Sequence, residues 1–141
     1  MIDSSGFLKL TFKQLDCLNL DPLEAICTFL RIEKPNTNLQ ILYNDCVRFA
    51  SSGFVFNIAF VYCYYCTANA ITERFLKYTI DDLNNQKFKT LEEAYNYLYA
   101  KAKYFKYFTI KVSSKYKDLT DDEKKELSEI IDNYISDHVR S

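Results

Sequence analysis

Tryptophan is missing from this chain, and among its 141 residues glycine and proline occur twice each and histidine once. Each shortage removes a class of protein. Most β-sandwiches and barrels turn at positions of positive φ, which two glycines cannot supply. Phosphate-cradling loops need several glycines, so Walker and dinucleotide fingerprints are excluded. The one histidine, His138, lies in the last few residues. That rules out a multi-histidine metal site, and a catalytic base is hard to hold in a fraying end. A net charge of −1 leaves no overall field to collect a polyanion. Met1 to Gly6 show no basic stretch ahead of an apolar one, so no secretory signal is expected.

What is present argues for a packed core. Apolar residues make up 48% of the chain, with 12 Tyr and 11 Phe, so general disorder is excluded. The length suits one domain over residues 1–141. Cys17, Cys27, Cys46, Cys63 and Cys66 are odd in number and mostly have apolar neighbours, which points to reduced thiols in a cytoplasmic protein. Lys outnumbers Arg 14 to 4, and Asn and Tyr are abundant; these residues have A/T-rich codons. Such a bias indicates a low-GC genome, as in a virus, a phage, a low-GC bacterium or a parasite.

Helical spacing recurs along the chain. Leu8, Phe12, Leu15 and Leu18 predict a first short helix, with Thr11 and Gln14 as a capping box. Asp21-Pro22-Leu23-Glu24 predicts a start with Asp21 as cap, the helix running to about Glu33 on a stripe of Leu23, Ile26, Cys27 and Leu30. A helix over about 38–50 carries Leu39, Leu42, Cys46 and Phe49, with Gly53 as a left-handed stop. Thr90 to Glu93 opens another to about Phe108, with Leu91, Tyr95, Leu98, Ala102 and Phe105 inward. Residues 108–112, FTIKV, alternate and also fit a short strand. Thr120 to Glu123 opens the last helix, striped by Leu127, Ile130, Ile131, Tyr134 and Ile135.

No charge occurs between Arg48 and Glu73, and Phe54 to Ile71 reads FVFNIAFVYCYYCTANAI. A helix apolar all round is sheathed by other helices or spans a bilayer. Asn57, Thr67, Asn69 and several hydroxyl and thiol groups disfavour the bilayer. A buried strand stays open, since Phe, Val, Ile and Tyr suit strands equally. The expected fold is all-α, six or seven helices around a central apolar helix at about 54–71 continuing through Phe75, Leu76 and Ile80 to a break at Asn84-Asn85. The alternative is α+β with a small buried sheet. Phe56, Phe60, Cys63 and Tyr64 are the candidate core of the central helix.

Few constellations point to chemistry, and no catalytic residue, cofactor or metal site is assigned. Cys63 and Cys66 form a C-x-x-C, but inside an uncharged run burial raises thiol pKa values, and zinc would need two more ligands. Residues 94–117 carry six Lys and no acid, interleaved with Tyr. Lys101, Lys103, Lys106, Lys111, Lys115, Tyr104 and Tyr107 are therefore candidate nucleic-acid contacts. The acidic helix that follows, with eight acids and two Lys over 118–137, could instead complement them. In a helix-turn-helix over 11–32 the second, reading helix would offer Glu24, Thr28 and only Arg31 as base, too little for a major groove. Acid pairs such as Glu92/Glu93 and Asp121/Asp122 serve helix starts. Asn57 and Asn69 are the candidates for buried polar groups.

The leading expectation is a non-enzymatic intracellular module that binds another protein in an apolar groove between helices, of the kind a small viral or phage antagonist of a host protein uses. A nucleic-acid-associated protein is the second expectation; a membrane partner is disfavoured and a homo-oligomer is compatible. The layout resembles viral Bcl-2-like proteins, which also wrap amphipathic helices about one apolar helix. Asp45 to Phe49 and Gly53 stand where those proteins carry a groove motif. Its Asn-Trp-Gly-Arg core is absent, so the resemblance implies an architecture and carries over no site residues.

Overall fold

A computed structural model describes residues 5–67 and 70–139. Eight α-helices follow one another among the described residues, with no strand: α1 (Ser5–Leu8), α2 (Phe12–Cys17), α3 (Pro22–Leu30), α4 (Thr37–Cys46), α5 (Gly53–Cys66), α6 (Glu73–Gln86), α7 (Leu91–Lys111) and α8 (Asp121–Val139). The all-α expectation holds, and the small buried sheet is overturned. Residues 108–112 are no strand, because α7 runs on to Lys111 and Val112 closes it by donating to Phe108 O.

The uncharged run makes α5, and its neighbours sheathe it. Nine consecutive residues, Val55 to Cys63, are buried. Nine residues exceed two helical turns, so no side of this stretch meets water. The wall is built by α1, α3, α6 and α7, each packed on α5. Each large apolar side chain buried this way contributes roughly 1.5–3 kcal/mol. Asn57, in the middle of the run, turns its amide to the bend after α2 and donates to Leu18 O at 2.8 Å and Leu20 O at 2.9 Å. One buried polar group thus ties the core helix to the α2–α3 turn. Asn69, the other candidate, lies outside the described residues, as do the side chains of Phe105 and His138.

The central helix is shorter than its composition suggests. It ends at Cys66, with Thr67 Oγ1 donating to Cys63 O at 2.7 Å, and α6 begins afresh at Glu73. Thr72 caps that new start, its hydroxyl accepting from Phe75 N at 3.2 Å. The break turns the chain so that α6 packs back on α5. Asn84 does not stop α6. Its side chain holds the loop after α4, accepting from Ser51 N at 2.9 Å and donating to Phe49 O at 2.7 Å.

Neither glycine has positive φ. Gly53 opens α5 and is no left-handed stop; α4 ends at Cys46 and passes into a 3-10 turn, Val47–Phe49. Gly6 serves close approach, since the ring of Tyr65 lies where a Cβ would stand. The left-handed C-caps fall to Arg31 after α3 and Lys87 after α6, with φ of 59° and 56°. Arg31 also ends α3 three residues before the expected limit. Asp21 precedes α3 without a side-chain capping bond, and Pro22 marks the start.

Candidate binding cleft

Three elements leave a gap beside α5. The end of α3 supplies Leu30, α4 supplies Leu39, Ile41, Leu42 and Asp45, α5 supplies Phe60 and Tyr64, and the entry to α6 supplies Ile71 and Glu73. Asn36 and Asn38 complete the lining of an open cleft of about 470 Å³. Its floor is apolar. Phe60 is buried, and Tyr64 meets Phe29 edge-on at a centroid distance of 5.8 Å. Ile41 stands on the lip with 53% of its surface exposed. Charge on the lining is of one sign. Glu73 is neutralised by Lys77 at 2.7 Å, while Asp45 makes no ion pair among the described residues. Asn36 is occupied in capping α4, its Oδ1 accepting from Leu39 N at 2.8 Å.

The candidate core residues divide. Phe56, Phe60 and Cys63 are buried, while Tyr64 is half-buried at the cleft. Asp45 opens the stretch Asp45 to Phe49 on which the Bcl-2-like resemblance was drawn, whereas Ile41 was not singled out and Ile71 was noted only as the end of the uncharged run. Ile41 carried a signal nonetheless, as an apolar residue off the stripe of Leu39, Leu42 and Cys46, where a surface helix ordinarily turns polar.

The Lys/Tyr stretch is distributed around α7 and largely engaged. At about 100° per residue, Lys101 and Lys103 lie on opposite flanks of the helix. Lys101 pairs with Asp82 at 3.2 Å and sits over the Tyr78 ring. Tyr97 donates to the same carboxylate, at 2.9 Å to each oxygen. Tyr104 stacks on Tyr134 of α8 at 4.4 Å and on Phe108 at 5.7 Å. Lys106 lies over Tyr107, and Lys111 and Lys115 are exposed. The acidic α8 packs on α7 through rings and makes no ion pair with its lysines among the described residues.

The C-x-x-C is embedded in the core. Cys63 Sγ donates to Thr79 Oγ1 at 3.4 Å, and burial pushes its pKa up to about 12. Burial raises that of Cys66 too. Thiols so held stay protonated and unreactive. Among the described residues no group of three His, Cys, Asp or Glu could hold a metal, and no helix is long and apolar enough to cross a membrane. No protein-family model matches the chain, and neither a curated protein nor a solved structure matches it.

Proposed function

We propose that this is a non-enzymatic, intracellular binding module that receives an amphipathic helix of another protein in the cleft between α3, α4, α5 and α6. The observation that carries the reading is the cleft's composition: an apolar floor, an exposed Ile41 on the lip and beside it an Asp45 that makes no ion pair among the described residues. An apolar helix face fills such a groove through anchors spaced three and four residues apart. Asp45 selects a Lys or Arg on that helix, since a partner charge of the other sign steers encounter and fixes register. The polar groups here suit recognition better than reaction, because Asn36 and Glu73 are already bonded. The A/T-biased composition fits a viral or phage source among other low-GC genomes, and for such a source the partner would be a host protein. The engagement of Lys101 and Tyr104 within the fold favours the cleft over nucleic-acid binding through α7.

The test is affinity capture from host cells, followed by titration of the purified partner. Ile41→Asp and Asp45→Lys should each weaken binding at least roughly tenfold, about 1.4 kcal/mol. Lys103→Glu/Lys111→Glu should bind normally, with little dependence on salt. A partner indifferent to both cleft variants, or a nucleic acid whose binding falls steeply with salt, would refute the proposal.

A further inference from the structure

A second cleft, of about 460 Å³, lies between α2 and the start of α7 and shares no lining residue with the first. Its apolar lining comes from Leu15, Leu91 and Tyr95, and Asp16 and Glu92 are its acids. Phe12 forms part of its wall and is 89% exposed. That exposure is held by a capped helix: Thr11 Oγ1 accepts from Gln14 N at 3.1 Å, and Gln14 Oε1 accepts from Thr11 N at 2.9 Å. An exposed phenyl ring therefore projects from a capped backbone beside a hollow large enough for one, given that a water takes about 30 Å³. Lys13, next to it, is exposed, and among the described residues neither it nor Asp16 nor Glu92 makes an ion pair.

Two features select the occupant. Knob and hollow adjoin on one patch, which is what a two-fold contact between identical chains requires, each patch being its own complement. The charges follow the same rule, with a cation beside the knob and acids on the hollow. A two-fold contact that seats Phe12 in the other copy's hollow brings the adjoining Lys13 to the rim of that hollow, which Asp16 and Glu92 line. We infer that the chain forms a two-fold homodimer in which each Phe12 enters the partner copy's cleft. α2 has six residues, so the contact is smaller than the roughly 800 Å² per partner of a standard stable interface. The dimer is accordingly weak and depends on concentration. It leaves the first cleft open on both copies, so it stands or falls apart from the binding role.

Sedimentation equilibrium of the full chain across micromolar to millimolar concentrations tests it. The average mass should climb toward twice the chain mass of 16.6 kDa. Phe12→Glu should stay monomeric throughout while keeping the wild-type helical circular dichroism. Lys13→Glu should weaken association roughly tenfold, about 1.4 kcal/mol, and Lys13→Glu/Glu92→Lys should restore it. A chain monomeric over the whole range, a dimer that survives Phe12→Glu, or a double variant as weak as the single one overturns the inference.

Discussion

Burial sorts the five cysteines into two groups by access, although it raises the pKa of the Cys17 thiol as well. Cys46, Cys63 and Cys66 are buried, whereas Cys17 and Cys27 are half-buried. Burial pushes the Cys63 thiol from 9.0 up to about 12 and the Cys46 thiol from 9.0 up to about 11. Above pH 9 the unfolded chain ionises these thiols and the folded chain does not. The unfolded state then binds fewer protons, so stability must fall as pH rises. The loss begins near pH 9 and runs to about 11 for Cys46 and about 12 for Cys63, with nothing lost below. The buried Tyr62 hydroxyl, raised by the same desolvation, adds to it in the same direction. Urea midpoints should therefore be flat from neutral pH to about 9 and decline above it, less steeply in Cys46→Ala/Cys63→Ala. Iodoacetamide at neutral pH should label Cys17 and Cys27 in the native protein and reach the other three only in denaturant. A slope unchanged by removing both thiols would show that their burial does not set it.

Helix ends are where a shortage of glycine becomes visible in the elements. Left-handed C-caps favour glycine because a Cβ crowds the following carbonyl, at roughly 1–2 kcal/mol. Here Arg31 and Lys87 occupy those positions. Arg31→Gly and Lys87→Gly should each raise stability by about 0.5–1 kcal/mol, the relief of strain exceeding the extra entropy glycine gives the unfolded chain. Thermal midpoints would register this as an increase of a few degrees. Alanine at either site should give no gain, since it keeps the Cβ. The helix starts were more legible than the stops. Thr11–Gln14, Pro22, Thr90–Glu93 and Thr120–Glu123 all lie where α2, α3, α7 and α8 begin. Starts are written in side chains that bond to free amides, whereas a stop without Gly or Pro leaves little trace. The end of α5 shows it: Thr67 and Thr72 make the break between α5 and α6, and both look like ordinary helix or strand residues. The cleft was legible only as an expected kind of feature. Its position depends on that break, because Ile71 and Glu73 reach the cleft by following it.

At the scale of the molecule, α5 and α8 are the two extremes. The continuous core gathers around α5 and draws on α1, α3, α6 and α7; Leu127 and Ile131, the buried residues of α8, stand outside it. α8 packs chiefly on α7, through those two residues and the stack of Tyr134 on Tyr104. Much of the rest of its described surface is polar and exposed, with Asp121, Asp122 and Glu123 at its first turn, although Ile135 is exposed too. An element held on one side by a few apolar contacts can open while the remainder stays folded, at a free energy below that of global unfolding. The amides of α5 have no such route, because exposing Val55 to Cys63 means removing every helix packed on them. Native-state hydrogen exchange should therefore show α8 opening first, with the C-terminal half of α7 next and α5 exchanging only at the global limit. Tyr134→Ala, by removing a half-buried ring that stacks on Tyr104 of α7, should accelerate exchange in α8 and leave α5 at the global value minus the small equilibrium loss. Equal protection in α5 and α8, lowered equally by this substitution, would mean that the acidic helix is part of the same cooperative unit as the core. In that case the apolar cluster around α5 would not be what sets the order of opening.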